Sequence, residues 1–316
     1  MKINIKAVAV GLMFALILLF IKNSYSYVLS RQIDAGLARV IEEGGAENLY
    51  IGSSMFRQGI NIDVLNEKEE NAFVLSYNGN QPAGELLQLE YLIDNGCVLE
   101  HVYIDMYAYS AVEEPWLDDN RLLFDTDLEF KVNYLNLIMQ NERAGLGTVW
   151  ELFVTSNNEQ FLMWPLHRVL TGERYNNGGS NAWVSGTNEK DMANRKPPYP
   201  ESIEINAGQK EAIIGIVNLC REHNIQLTFV ETPKYQSVHE NEKYISIMSE
   251  YVSLLEELQV EYVISDDTAT AVGVVESEYA LPYTFPNENA NYYQDTIHLA
   301  TEGSAVFSAV LANRKE

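Results

Sequence analysis

The strongest constraint on this chain is an alternation of short apolar runs with segments of helical spacing. The runs are Leu49–Gly52, Ala72–Leu75, His101–Met106, Ile225–Glu231 and Glu261–Ser265. They are rich in Val, Ile, Leu, Phe and Tyr and too short for buried helices, so they read as buried strands. Between and around them lie expected helices at 28–47, Glu85–Asp94, Asn206–His223, Tyr244–Leu258 and Glu302–Leu311, with apolar residues three and four apart. In the 28–47 segment these are Val28, Leu29, Ile33, Leu37, Val40 and Ile41, ended by Gly44-Gly45. Strands joined through helices make right-handed crossovers and therefore a parallel sheet. The expected fold class is α/β with five parallel strands.

The alternation stops after the third strand for roughly ninety residues, far beyond ordinary loop lengths. This stretch, 111–205, reads as an insertion with expected helices over Leu122–Met139 and Val149–Leu170. Its loops are Asn176-Asn177-Gly178-Gly179-Ser180 and Lys196-Pro197-Pro198-Tyr199-Pro200. Leaving the carboxyl end of a strand, it is expected to lie over that edge of the sheet as a lid or substrate platform.

Composition narrows the function classes. The net charge of −24 argues against a phosphate-binding face, so nucleic acid is not an expected partner. It also argues against a peripheral hold on anionic lipid. Apolar residues at 47% support a sizeable core. Cys97 and Cys220 belong to no Cys-x-x-Cys pair, and either two unpaired thiols or a disulfide fits their positions. His101, His167, His223 and His239 have no partner at metal-ligand spacing, so no metal is expected. At the amino terminus, Lys2 and Lys6 precede an apolar run from Ala7 to Ile21, closed by Lys22. A cleaved secretory signal has the same pattern, but Ser24-Tyr25-Ser26 is a poor cleavage site. Residues 1–27 therefore read as an uncleaved anchor, with 28–316 exported.

Chemistry is expected at the carboxyl edge of the sheet, where open α/β folds bind ligands. The first strand stops at Gly52, a residue that tolerates backbone angles others avoid, and is followed by Ser53-Ser54. The second runs into Ser76-Tyr77-Asn78-Gly79-Asn80-Gln81-Pro82, and Asp295-Thr296-Ile297-His298 precedes the last helix. Serine needs a base to take its proton and a third group to orient that base. Asp295 and His298 supply both. The alternative is that Asp295 merely caps its own turn, as aspartate often does.

These residues resemble the SGNH, or GDSL-type, hydrolase superfamily. Gly52-Ser53-Ser54, the glycine of the Tyr77–Pro82 loop and the block Asp295–Leu299 carry the resemblance. Asn291 through Ala305 is similar to the closing block of the membrane-anchored branch, which includes proteins of D-alanyl transfer and polysaccharide O-acetylation. The resemblance covers about residues 48–110 and 206–312 and leaves the insertion aside. It implies a three-layer α/β/α sandwich with strand order 2-1-3-4-5. Ser54 matches the nucleophile, Asp295 the orienting acid and His298 the base. Gly79 and Ser54 match backbone donors of the oxyanion hole. The third block departs: Ile104-Asp105-Met106-Tyr107-Ala108-Tyr109 lacks the family's donating asparagine. Asn80 is expected to replace it, with Asn78 closing its own turn. Asp105 then serves either a substrate group or a buried structural role. The implied function is an extracytoplasmic acyl-ester hydrolase or O-acyltransferase without cofactor. Its substrate would be cell-envelope glycan or another acylated polymer or small ester, with a membrane-bound acyl-transfer partner as a candidate associate. A non-catalytic assembly or binding protein on the same fold is the alternative, and a carbohydrate-binding module a third.

Overall fold

A computed structural model describes residues 5–30, 33–67, 72–116, 118–123, 126–150, 170–172, 175–176, 178–180, 184–198, 200, 202–274 and 277–313. Six strands form one parallel sheet: β1 Gly45–Gly52, β2 Ala72–Ser76, β3 Val98–Asp105, β4 Gln226–Val230, β5 Glu261–Ser265 and β6 Ala280–Tyr283. Their order is 2-1-3-4-5-6. The helices that matter here are α1 Ile5–Ser30, α2 Leu37–Glu43, α3 Ser54–Gly59, α4 Pro82–Asp94, α5 Leu128–Ile138, α6 Ala207–Glu222, α7 Glu242–Leu258 and α8 Thr301–Ala312.

Alternate strand residues serve two cores. Leu49, Ile51, Leu75, Val102, Ile104, Phe229 and Ile264 face α4, α6 and α7, where Leu89, Ile213, Ile216, Tyr251 and Leu255 meet them. Tyr50, Val74, Tyr103, Val230 and Val263 face the other way, against Phe56 of α3 and Phe307 and Leu311 of α8. Helices on both faces leave the central strands no solvent side, which is why they read as continuous apolar runs. Tyr50 and Tyr103 stack with centroids 4.3 Å apart on neighbouring strands. In-register pairs such as Ile51 with Ile104, and Ile104 with Phe229, bring the ends of β1, β3 and β4 to one edge.

Three expectations change. The sheet has a sixth strand, β6, pairing Tyr262 with Ala280 and Ser265 with Tyr283. Its Pro282 removes one ladder donor, which an edge strand accepts and a central strand does not. The helix expected over 28–47 is divided. Ile33–Ala35 pairs in parallel with Tyr175–Asn176 of the insertion, Gly36 turns the chain at φ 131°, and α2 closes at Gly44 in the left-handed region. Third, α1 runs on to Ser30, past the expected boundary at residue 27. Val8, Val10, Leu12, Phe14, Leu16 and Phe20 are exposed along it, yet no helix among the described residues is long and apolar enough to cross a membrane. The uninterrupted apolar run, Ala7 to Ile21, covers about 22 Å of helix against a hydrocarbon core near 30 Å.

The insertion carries α5 as expected within Leu122–Met139, preceded by a 3-10 turn at Asn120–Leu123. The helix expected over Val149–Leu170, with His167, lies almost wholly outside the described residues. Both cysteines are free thiols.

Candidate active site

The site begins where β1 meets α3. Gly52 is required by space and not by its own torsion. A Cβ there would lie 2.6 Å from the Asp105 Cβ and 2.9 Å from the Phe56 ring, and Gly52 is not among the positive-φ residues. This corrects the expectation of a special backbone angle.

Ser53 and Ser54 then part company. Ser53 is fully buried and caps α3, its Oγ accepting the Met55 N–H at 3.1 Å. The same hydroxyl donates to Asp105 Oδ2 at 2.5 Å, and the Ser53 N–H donates to that oxygen at 3.2 Å. Asp105, 2% exposed, therefore has a structural role beneath the Ser53–Ser54 turn. Burial pushes its pKa up to about 6, restrained by nearby Lys234 and the Ser53 hydrogen bonds. Ser54, the first residue of α3, instead places its Oγ 2.9 Å from His298 Nε2. These residues are 244 apart in sequence.

His298 is held from behind. Its Nδ1 lies 2.8 Å from Asp295 Oδ2 and 3.1 Å from Oδ1. With Nδ1–H donating to the carboxylate, Nε2 presents a lone pair to the serine hydroxyl. Asp295 Oδ1 also accepts the N–H groups of Ile297 and His298, each at 2.9 Å. The two readings of Asp295 are thus both realised, since one oxygen caps the turn while the carboxylate orients the imidazole. Burial raises the Asp295 pKa, but the His298 hydrogen bond and charge and the two backbone donors outweigh it, leaving the carboxyl below its ordinary value.

On the other side of Ser54 stands the loop after β2. Gly79 has φ +64°, and a Cβ there would fall 2.2 Å from Asp118 Oδ2, so torsion and space both demand glycine. The Asn80 N–H closes the turn onto Tyr77 O at 3.0 Å. Asn80 is 4% exposed. Its Nδ2 reaches the Gly52 carbonyl at 3.4 Å, while its Oδ1 has no partner among the described residues. The Asn78 N–H donates to Asp119 Oδ2 at 3.0 Å, and Arg121 grips the same carboxylate. Burial raises the Asp119 pKa to about 6, against the Asn78 N–H and Arg57, which lower it.

Several contributors carry no local sequence signal. Lys234, 2% exposed, donates Nζ hydrogen bonds to Thr232 O at 2.8 Å and Thr232 Oγ1 at 2.6 Å. Burial lowers its pKa, while Asp105, Glu231 and Asp295 pull it back up. The insertion braces the histidine loop. Thr187 donates its N–H to Tyr293 O at 2.8 Å and its Oγ1 hydrogen to Gln294 O at 2.7 Å, and Arg195 donates to Gln294 O at 2.7 Å. Tyr107, just beyond β3, has its phenol pKa raised by burial and then by Asp105, Tyr109, Glu113 and Asp295, so it remains a donor. Of the other histidines, His101 is tied to Thr228 Oγ1 at 2.8 Å and Tyr103 OH at 3.1 Å. No group of three His, Cys, Asp or Glu side chains among the described residues converges as a metal site.

Comparison with family models and with curated proteins gives no match for this chain.

Proposed function

We propose that this chain is an SGNH-type serine acyl-ester hydrolase or O-acyltransferase acting outside the membrane on cell-envelope glycan or a related acylated polymer. The observation that carries this reading is the run of contacts from Ser54 Oγ to His298 Nε2 at 2.9 Å and from His298 Nδ1 to Asp295 at 2.8 Å. Such a relay activates a hydroxyl that is otherwise a weak nucleophile.

In this mechanism His298 Nε2 takes the Ser54 proton as Oγ attacks the acyl carbon. Negative charge grows on the carbonyl oxygen, with the Ser54 and Gly79 N–H groups and the Asn80 amide as its donors. One Asn80 N–H is engaged with Gly52 O, and its second hydrogen is the one assigned to the oxyanion. The imidazolium, held by Asp295, returns the proton to the departing alcohol and leaves acyl-Ser54. Water or a sugar hydroxyl then gives its proton to His298 and takes the acyl group. Which of the two acts decides between hydrolase and transferase. Membrane attachment is assigned to α1, whose exposed apolar side chains lie between Lys6 and Lys22. Snorkelling of those lysines lengthens the effective span. Lys2 and Lys6 favour an inside amino terminus and hence an outside body.

A second reading is favoured by one observation. Tyr107 stands in the third block, where the family resemblance calls for a donating asparagine, and loss of an oxyanion donor costs roughly 10²–10³ in rate. A chain so weakened serves as an assembly or binding protein, with the insertion as its docking surface. Brief incubation with a small acyl ester, acid quench and mass spectrometry of the Ser54 peptide separates the two. The hydrolase reading expects an acyl adduct on Ser54 that is absent from His298→Ala. No adduct at any ester concentration favours the assembly reading.

A further inference from the structure

A cavity of about 750 Å³ opens between the loop after β3 and two stretches of the insertion, with Tyr107 and Tyr109 on its wall. Tyr107 joins it to the candidate site, because it follows the end of β3 with its N–H on the Asp105 carbonyl, and the Asp105 carboxylate accepts the hydroxyl of Ser53, the neighbour of Ser54. An ester whose acyl carbon sits at Ser54 would extend its alcohol portion past Tyr107 into this space.

The lining states what that portion carries. The Tyr107 and Tyr109 rings lie 5.7 Å apart at 60° to each other on the cavity wall, aromatic groups of the kind that meet a sugar ring or a cation. Tyr109 is only 7% exposed, and its hydroxyl has no partner among the described residues, leaving a buried donor to be met by a ligand oxygen. Three exposed carboxylates, Glu113, Glu114 and Glu142, line the same space. The cationic lining residue, Arg143, is opposed by Asp118, whose carboxyl it draws down against the larger effect of burial. The cavity is thus negative within a chain of net charge −24, and a polyanionic ligand would meet like charge at every step.

We propose that this cavity is the alcohol-side subsite of the Ser54 reaction and that it selects an amine-bearing saccharide, a sugar whose protonated amino group is taken by the glutamates and whose ring rests on the tyrosines. As an enzyme subsite it rests on the hydrolase reading, but its binding is measurable without turnover. Calorimetry on the full chain in detergent micelles, carrying Ser54→Ala, would compare three oligosaccharides of equal length: glucosamine, glucose and galacturonate oligomers. Under conditions where the amine is protonated, the glucosamine oligomer should bind about tenfold or more tighter than the glucose oligomer. The galacturonate oligomer should bind weakest. Glu113→Gln with Glu142→Gln should remove that preference, and Glu189→Gln with Asp191→Asn, outside the cavity lining, should keep it. Equal affinity for the glucosamine and glucose oligomers, tighter binding of galacturonate, or no binding of any of the three overturns the proposal. So does an equal loss from the distant Glu189 and Asp191 pair, which would assign the preference to diffuse charge. Acyl-adduct formation by the wild-type chain is read separately, so failure of the subsite and failure of the hydrolase reading give different results.

Discussion

Ser53 and Ser54 are chemically alike, and what separates them is the direction each takes from the end of β1. Ser53 turns inward to Asp105 and Met55, while Ser54 turns outward to His298. The pairing of Ser54 with Asp295 and His298 was expected from the family resemblance that Gly52-Ser53-Ser54 and Asp295–His298 carry, while spacing alone left Asp295 equally a cap. The fixing of Ser53 by Asp105 was not legible, because only the parallel register brings the ends of β1 and β3 together. The proposed oxyanion donors give a test at this scale. Asn80→Ala should raise the barrier to turnover by about 2–4 kcal/mol with KM nearly unchanged, the mark of a contact made only in the transition state. Tyr107→Phe should keep turnover. The opposite pattern would make Tyr107 the third donor. Asp105 gives a pH test. In the folded chain it stays protonated up to about pH 6, and in the unfolded chain it ionises near 4. The folded chain therefore binds the extra proton between these values, and stability falls as pH rises through that window. Asp105→Asn should flatten the pH dependence of the denaturation midpoint there, leaving the share that belongs to Asp119, whose pKa is also about 6, and to the other carboxyls that burial raises, Glu85 and Asp118. An unchanged slope would mean that Asp105 is charged in the fold.

Elements were legible where one local signal governed them. β1 to β5 announced themselves as apolar runs, and α6 and α7 as stretches with apolar residues three and four apart. The misses lie where long-range pairing overrides local pattern. Ile33–Ala35 continues a helical spacing in sequence but pairs with Tyr175–Asn176, and β6 contains a proline. The insertion was expected as a lid or platform. Its described parts brace the candidate site, through Asp119 on the Asn78 N–H and Thr187 on the Tyr293–Gln294 backbone. Thr187→Val removes a side-chain hydrogen bond to the residue preceding Asp295. It should lower kcat by roughly tenfold to a hundredfold, because small misplacements of catalytic groups are costly, while the melting temperature moves by only a few degrees. Unchanged kcat would show that the loop holds its geometry without the insertion.

The whole chain, of net charge −24, combines an acidic body with an apolar amino-terminal helix. The charge suits solubility in the aqueous space beside a membrane and repels polyanions. Protease added to intact spheroplasts should digest the body beyond α1, and full protection would contradict the proposed topology. The proposed chemistry depends on one oxygen atom, Ser54 Oγ. The most direct measurement is therefore labelling of the full chain by a serine-directed fluorophosphonate probe, comparing wild type with Ser53→Ala and Ser54→Ala. Wild type should label, Ser53→Ala should label more slowly because its turn has lost the Asp105 bonds, and Ser54→Ala should not label. Equal labelling of all three proteins, or labelling of none, would contradict the assignment of Ser54 as the nucleophile.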